Sequence, residues 1–178
     1  MTTGVRMPDT DVALERWGLD DLPLLERANS EEMTRFLGGP ETAEQLAARH
    51  ERYLSMWESG DARMFRIVTG GEAVGGIGYW RIDRAGEPAY ETGWNVDAAH
   101  QGRGIAGAAL TLCIDHARRC GDARRAHLYA FPIPANAASN RLCERAGFTL
   151  VGREEAEYPP GNRIVVNVWR LALRENSR

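Results

Sequence analysis

Tyr90-Glu-Thr-Gly-Trp-Asn-Val-Asp-Ala-Ala-His-Gln-Gly-Arg-Gly-Ile-Ala-Gly107 is the stretch whose reading decides the fold. Tyr90, Thr92, Trp94 and Val96 alternate with Glu91, Gly93 and Asn95, which is the period of a strand. Glycines follow at 102, 104 and 107, and the apolar spacing then becomes helical. Ile105, Ala108, Ala109, Leu112 and Ile114 fall mostly on one face of the predicted helix. A strand, a glycine turn and a helix N-terminus in succession form an anion site. Backbone N–H groups without intrahelical partners converge there, and the helix dipole favours negative charge. Glycine lets the backbone approach a bulky phosphate, and Arg103 adds a cation. An ordinary strand-to-helix turn is the plainer reading. Three glycines and an arginine within six residues favour phosphate.

Two kinds of protein write such a loop. Gly102-Arg-Gly-Ile-Ala-Gly107 satisfies the GxGxxG dinucleotide string. That string also requires an acidic residue at the end of the next strand, about 20 positions on, to hold a ribose. The next strand, near Arg125 to Phe131, ends in Phe131-Pro132, and Asp122 lies before it. A dinucleotide oxidoreductase therefore rests on the bare string alone. Gln101-Gly102-Arg103-Gly104-Ile105-Ala106 instead resembles motif A of the GNAT acetyltransferases, (Gln/Arg)-x-x-Gly-x-(Gly/Ala). The run from Asn136 through Ser139 to Gly147-Phe148 resembles that family's second motif, Asn-x-x-Ser/Ala ending in Gly-Phe. The resemblance runs from about Asp11 to Leu173 and is closest to the branch that acetylates N-terminal amines of ribosomal proteins and related amines.

At 178 residues the chain has the size of one domain, with 43% hydrophobic and 26% charged residues. The expected organisation is a tail over 1–10, one domain over 11–173 and a short tail over 174–178. A net charge of -3 argues against nucleic acid or an anionic membrane as partner. No apolar run approaches the roughly 20 residues of a spanning helix, and no charged-then-apolar leader opens the chain, so the expected home is the cytoplasm. Three cysteines read as reduced thiols. Cys113, His116 and Cys120 share a helical spacing that a metal could use, but no close fourth ligand is evident and packing is the favoured account; no metal is expected.

Along the chain, Val12 and Leu14 suggest a first strand. Helices are expected from Asp20 to about Asn29 and from a cap near Thr42 to Gly60. Strands at Arg63–Thr69 and Ala73–Ile82 flank a Gly70-Gly71 turn. Gly75, Gly76 and Gly78 mark a close approach or bulge. After the central strand and a helix to Cys120 come a short strand at Ala126–Phe131, a helix from Asn136 or Ala137, and strands at Phe148–Gly152 and Ile164–Leu173. The loop joining the last two, Glu154–Arg163, carries Tyr158-Pro-Pro-Gly161 at its tip. The order β-α-α-β-β-β-α-β-α-β-β is an α+β plan: a single domain with a mixed, mostly antiparallel sheet flanked by helices. The resemblance implies the same order.

What the resemblance implies for chemistry is acetyl transfer from acetyl-CoA, as co-substrate, to a primary amine by direct attack in a ternary complex. The glycine loop would cradle the pyrophosphate, and Trp94, Asn95 and Val96 would line the pantetheine arm. Asn136 resembles a cofactor-contacting asparagine and is also a plausible helix cap. Arg141 either reaches a phosphate or is solvated. Glu91, on the central strand, is the expected general base, acting through water. Burial among Tyr90, Trp94 and Trp80 would raise its pKa, and the competing account is a structural ion pair with an arginine. Relatives often carry tyrosine four residues before Gly-Phe, where this chain has Cys143. Ser139 is then the expected proton donor, or else a first-turn packing residue. The acceptor would lie between the loop joining the first two helices and the last hairpin. That region supplies Glu31, Glu32, Phe36, Glu154, Glu155, Glu157 and Tyr158, a rim suited to a cationic amine. The acceptor is expected to be a peptide N-terminus or a small-molecule amine. Sheet edges of this kind also permit a homodimer. The missing tyrosine leaves open a catalytically weak acyl-CoA-binding or regulatory module.

Overall fold

The computed structural model describes residues 5–6 and 11–174. In chain order, β1 (Val5–Arg6) and β2 (Val12–Arg16) precede α1 (Leu22–Ala28), α2 (Glu31–Thr34) and α3 (Ala43–Ser59). A meander follows of β3 (Ala62–Thr69), β4 (Glu72–Arg84) and β5 (Glu87–Val96). Then come α4 (Ile105–Cys120), β6 (His127–Ala130), α5 (Ala137–Arg145), β7 (Thr149–Glu157) and β8 (Arg163–Ala172). The strands form one sheet in the order β1-β2-β3-β4-β5-β6-β8-β7. Every neighbouring pair is antiparallel except β5 and β6. This is the expected α+β plan with β1 and α2 added. β1 falls in the segment expected to be a loose tail; the rest of that segment, and 175–178, lie outside the described residues.

The sheet separates two cores. Beneath α4, Leu14, Phe65, Ile67, Ile77, Tyr79, Leu110, Cys113 and Leu128 are almost wholly buried. On the opposite face, α1 and α3 cover Trp17, Leu24, Leu25, Leu46 and Met64. The burial of each such side chain stabilises the fold by about 1.5–3 kcal/mol. Alternation along β3 makes the split: Met64 points to one face, Phe65 and Ile67 to the other.

Local chemistry sets the element ends. Thr42 and Gln45 form a capping box at the start of α3, and Gly60 ends it in the left-handed region. Gly70 and Gly71 both take positive φ in the β3–β4 turn, as a two-residue hairpin requires. A Cβ on Gly75 would overlap the Asn95 carbonyl oxygen, and one on Gly78 the Met64 sulfur, so β4 passes its neighbours at glycine distance. Cys113 and His116 are buried while Cys120 is exposed, so the three do not converge. His116 Nδ1 is instead hydrogen-bonded to the Tyr79 hydroxyl at 3.0 Å.

Candidate active site

The site begins where two parallel strands part. β5 pairs with β4 along its whole length, but with β6 only at Tyr90–Leu128 and Glu91–Tyr129. β6 is short because Pro132 and Pro134 follow it, and the Asn167 amide draws the Pro132 carbonyl towards β8 at 2.9 Å. From Thr92 to Val96, β5 therefore has a strand partner on one side only. Its other edge faces a wedge in which an extended, amide-bearing ligand finds main-chain partners.

The glycine loop stands past the end of β5. Gly102 and Gly104 have φ of 74° and 77°, and a Cβ at either would meet nothing within 4 Å. Gly104 is the N-cap of the 16-residue α4, and no side chain caps it. The first amides of the helix thus remain available beside open space, which is what a phosphate group needs. Gln101 does not reach into that space: its amide donates to the Val96 carbonyl at 2.9 Å and lies 3.3 Å from the Met33 sulfur. It fastens the loop to β5 and to α2. Arg103 and Arg141 are exposed, and Ile105 is buried as the helix's first anchor, with Ala106 half-buried behind it. Asn136 caps α5, its Oδ1 accepting from the Ser139 amide at 3.1 Å.

Glu91 sits where the strands part, on the face opposite α4. Its cross-strand neighbours are Trp80 on β4 and Tyr129 on β6. Burial drives its carboxyl up to about 7, against a hydrogen bond from the Trp80 side chain and the charge of Arg84, which both pull it down. A carboxylate with that affinity exchanges protons readily near neutral pH. Among the described residues Glu91 forms no ion pair within 4 Å, and Arg84 is paired with Glu154. Cys143 is fully buried and its thiol is pushed up to about 12 by burial, so it keeps its proton. Ser139, half-buried in the first turn of α5, has the more accessible hydroxyl.

The expected acceptor rim is partly corrected. Glu154, Glu155 and Glu157 lie on β7 and not on a loop, because β7 continues to Glu157 in register with β8. Glu154 is no free rim charge: Arg84 donates to both its oxygens, at 2.7 and 2.9 Å. Tyr158 does meet the helical side, its hydroxyl 3.5 Å from Arg49 Nη2, and Arg49 is ion-paired with Glu41. The space for a side chain at Gly38, between α2 and α3, is taken by Pro159. The hairpin tip and the α2–α3 loop thus close on each other. Glu31 is exposed at the start of α2, and Phe36 is half-buried under the Arg35 guanidinium at 4.7 Å.

Several residues at this site have no local sequence signal. Asn140 donates to the carbonyls of Ile133 and Asn136, and its Oδ1 accepts from Asn167 and Trp169 at 2.7 and 2.8 Å. It fixes α5 against β8; its position beside Ser139 in the second motif was the available clue. Tyr129 and Phe131 stack with an interplanar angle of 3° and carry Arg84 on their faces. A cavity of about 810 Å³ lies away from Glu91, between α1 and the turn after β5, with Arg27, Asp97 and His100 among its walls.

A family profile for the acetyltransferase (GNAT) domain matches residues 11–149. The chain belongs to the GNAT acetyltransferase family. Ribosomal-protein-serine acetyltransferase of Escherichia coli (strain K12) is 36% identical over 105 residues, covering 57% of this chain and 55% of that protein. The match thus spans about half the length of that curated relative. A solved Salmonella typhimurium acetyltransferase that modifies the N-terminal serine of a 50S ribosomal subunit protein superposes with a TM-score of 0.79. It is 23% identical, with 95% of this chain and 98% of that one covered. A microcin self-immunity acetyltransferase in complex with acetyl-CoA and AMP gives a TM-score of 0.75 at 19% identity, covering 93% and 97%. At these identities the structures show the GNAT fold alone.

Proposed function

We propose that this GNAT domain transfers the acetyl group of acetyl-CoA to a primary amine, a protein N-terminus or a small-molecule amine, by direct attack in a ternary complex. One observation carries the reading: a half-buried carboxylate poised near neutral, Glu91, stands at the apex of a wedge whose far end is an uncapped helix N-terminus with open glycines. The donor fits features of the chain itself. The amides after Gly104 would hold its pyrophosphate, Trp94, Asn95 and Val96 would offer main-chain groups to its pantetheine arm, and the exposed Arg103 and Arg141 are free to meet phosphate.

When bound, acetyl-CoA supplies an acyl thioester open to an amine. Glu91 then takes the proton the amine must lose, directly or through a water. Ser139 would return a proton to the departing sulfur. The catalytically weak alternative is not favoured, since the family profile and the similar proteins are those of acetyltransferases. Tyr158, Arg49 and the α2–α3 loop, with Phe36 in that loop and Glu31 at the start of α2, would shape the acceptor entrance. Support for a peptide acceptor comes from the relatives, which are named for ribosomal proteins; that acceptor would place the enzyme in the cytoplasm. A homodimer would use the outer edge of β7, where Leu150 and Val151 are exposed.

Calorimetric titration with acetyl-CoA, beside NAD and beside Gly104→Glu, tests the donor half. Saturable binding of acetyl-CoA alone, lost in the variant, is expected. Binding of NAD in preference would overturn the reading.

A further inference from the structure

Arg84 ends β4 on the same face of the sheet as Trp80 and Glu91. Its guanidinium is held from two directions. Glu154, 70 residues away in sequence, accepts two hydrogen bonds from it in a fork. Tyr129 and Phe131 lie under it, each ring centroid 5.2 Å from the guanidinium carbon. A planar cation gripped by a bidentate carboxylate and two rings has little freedom left. Tyr129, one of those rings, is also the register partner of Glu91 across β5 and β6.

The plain account is a surface ion pair that ties the last hairpin to the sheet. Such pairs contribute about 0–1 kcal/mol, and β7 is already held to β8 by register pairs from Thr149 to Glu157. The clamp's position next to the half-buried carboxylate, through Tyr129, calls for a different role. We propose that Arg84 is a positioning residue for Glu91, its charge held near the base but kept from pairing with it, and that Glu154 sets how strongly that charge is felt. The proposal rests on the reading of Glu91 as the base. On the same face, Trp80 and Arg84 come from β4, His127 and Tyr129 from β6, Glu154 from β7 and Arg170 from β8. Among them Trp80 and Arg84 act on Glu91 in the direction of ionisation. Arg125 is turned away, donating to the carbonyls of Ile82 and Ala89.

The two partners then have opposite signatures. Removing the Arg84 charge leaves Glu91 near an unneutralised Glu154 and makes its proton harder to lose. Removing the Glu154 charge leaves a bare guanidinium beside Glu91 and makes it easier. The experiment is a carbon-13 NMR titration of side-chain carboxyls in the full chain, with the Glu91 signal assigned by its loss in Glu91→Gln. The midpoint is expected to rise in Arg84→Gln and to fall in Glu154→Gln, each by roughly half a unit to one unit. Midpoints that stay put, or move in the same direction, would overturn the proposal. The pH profile of kcat/KM in the same variants separates the two layers. If the NMR midpoints move oppositely and the acidic limb of the rate follows, both layers stand. If the limb ignores them, the clamp stands and the assignment of Glu91 as base fails.

Discussion

Replacing Glu91 by glutamine perturbs the site most informatively, because two independent quantities follow from one carboxyl. A base with its midpoint at about 7 is about one tenth ionised at pH 6 and about nine tenths at pH 8. The wild-type kcat/KM should therefore climb about tenfold over that interval through Glu91 alone, and flatten above it. Ionisation of the acceptor amine adds a second limb, common to both proteins. In Glu91→Gln the Glu91 limb should vanish, and the rate near pH 8 should fall by about 10²–10⁴-fold. Stability supplies the second quantity. A carboxyl whose folded value is raised from 4.5 to about 7 contributes fully below the lower value and loses that contribution as the pH passes the upper one. At roughly 1.4 kcal/mol per tenfold change in ionisation, the loss is at most about 3.5 kcal/mol, reduced by the solvent that still reaches this half-buried side chain. Urea unfolding at pH 5 and pH 8 should thus show Glu91→Gln gaining on the wild type as the pH rises. A variant that keeps both the rate limb and the wild-type pH dependence of unfolding would refute the reasoning.

Three further outcomes are expected. Ser139→Ala should lower kcat by about 10²-fold with unchanged acetyl-CoA affinity, whereas Cys143→Ala should leave kcat within about threefold; stopped-flow thiol release checks both. Asn140→Ala should destabilise the chain by about 2–4 kcal/mol in urea unfolding, since it strips partners from Asn167 and Trp169. Gly75→Ala should destabilise it by several kcal/mol, or about 1–3 with backbone relaxation, because the added methyl overlaps the Asn95 carbonyl.

Those parts of the site that rest on local chemistry were readable from sequence. The alternation of β5, the glycine loop, the α4 start and the Asn136 cap each depend on residues within a turn of one another. The cap near Thr42 and the Gly70-Gly71 turn were legible for the same reason. The Arg84–Glu154 clamp was not, because it depends on β8 inserting between β6 and β7 and so swinging β7 to the sheet edge. Nothing in the charge run of Glu154–Glu157 distinguishes a strand with one paired carboxylate from a solvated loop. The four-residue α2, capped by Ser30, is too short to carry a helical period of its own. Glu91 lay between the two: its place on a strand and its raised proton affinity were expected, but of the three aromatics invoked only Trp80 faces it, because Tyr90 and Trp94 point to the α4 side, and the opposing Arg84 charge appears only on folding.

The central claim is best tested by mass spectrometry of an amine panel incubated with the chain and acetyl-CoA at pH 8, with thiol release followed in parallel. The panel spans peptides with different N-terminal residues and small amines. An acetyl group on the α-amine or primary amine of at least one acceptor, with stoichiometric release of the thiol and loss of both in Gly104→Glu, is the predicted result. Acetyl-CoA bound at saturation without acetylation of any amine across the panel would contradict it.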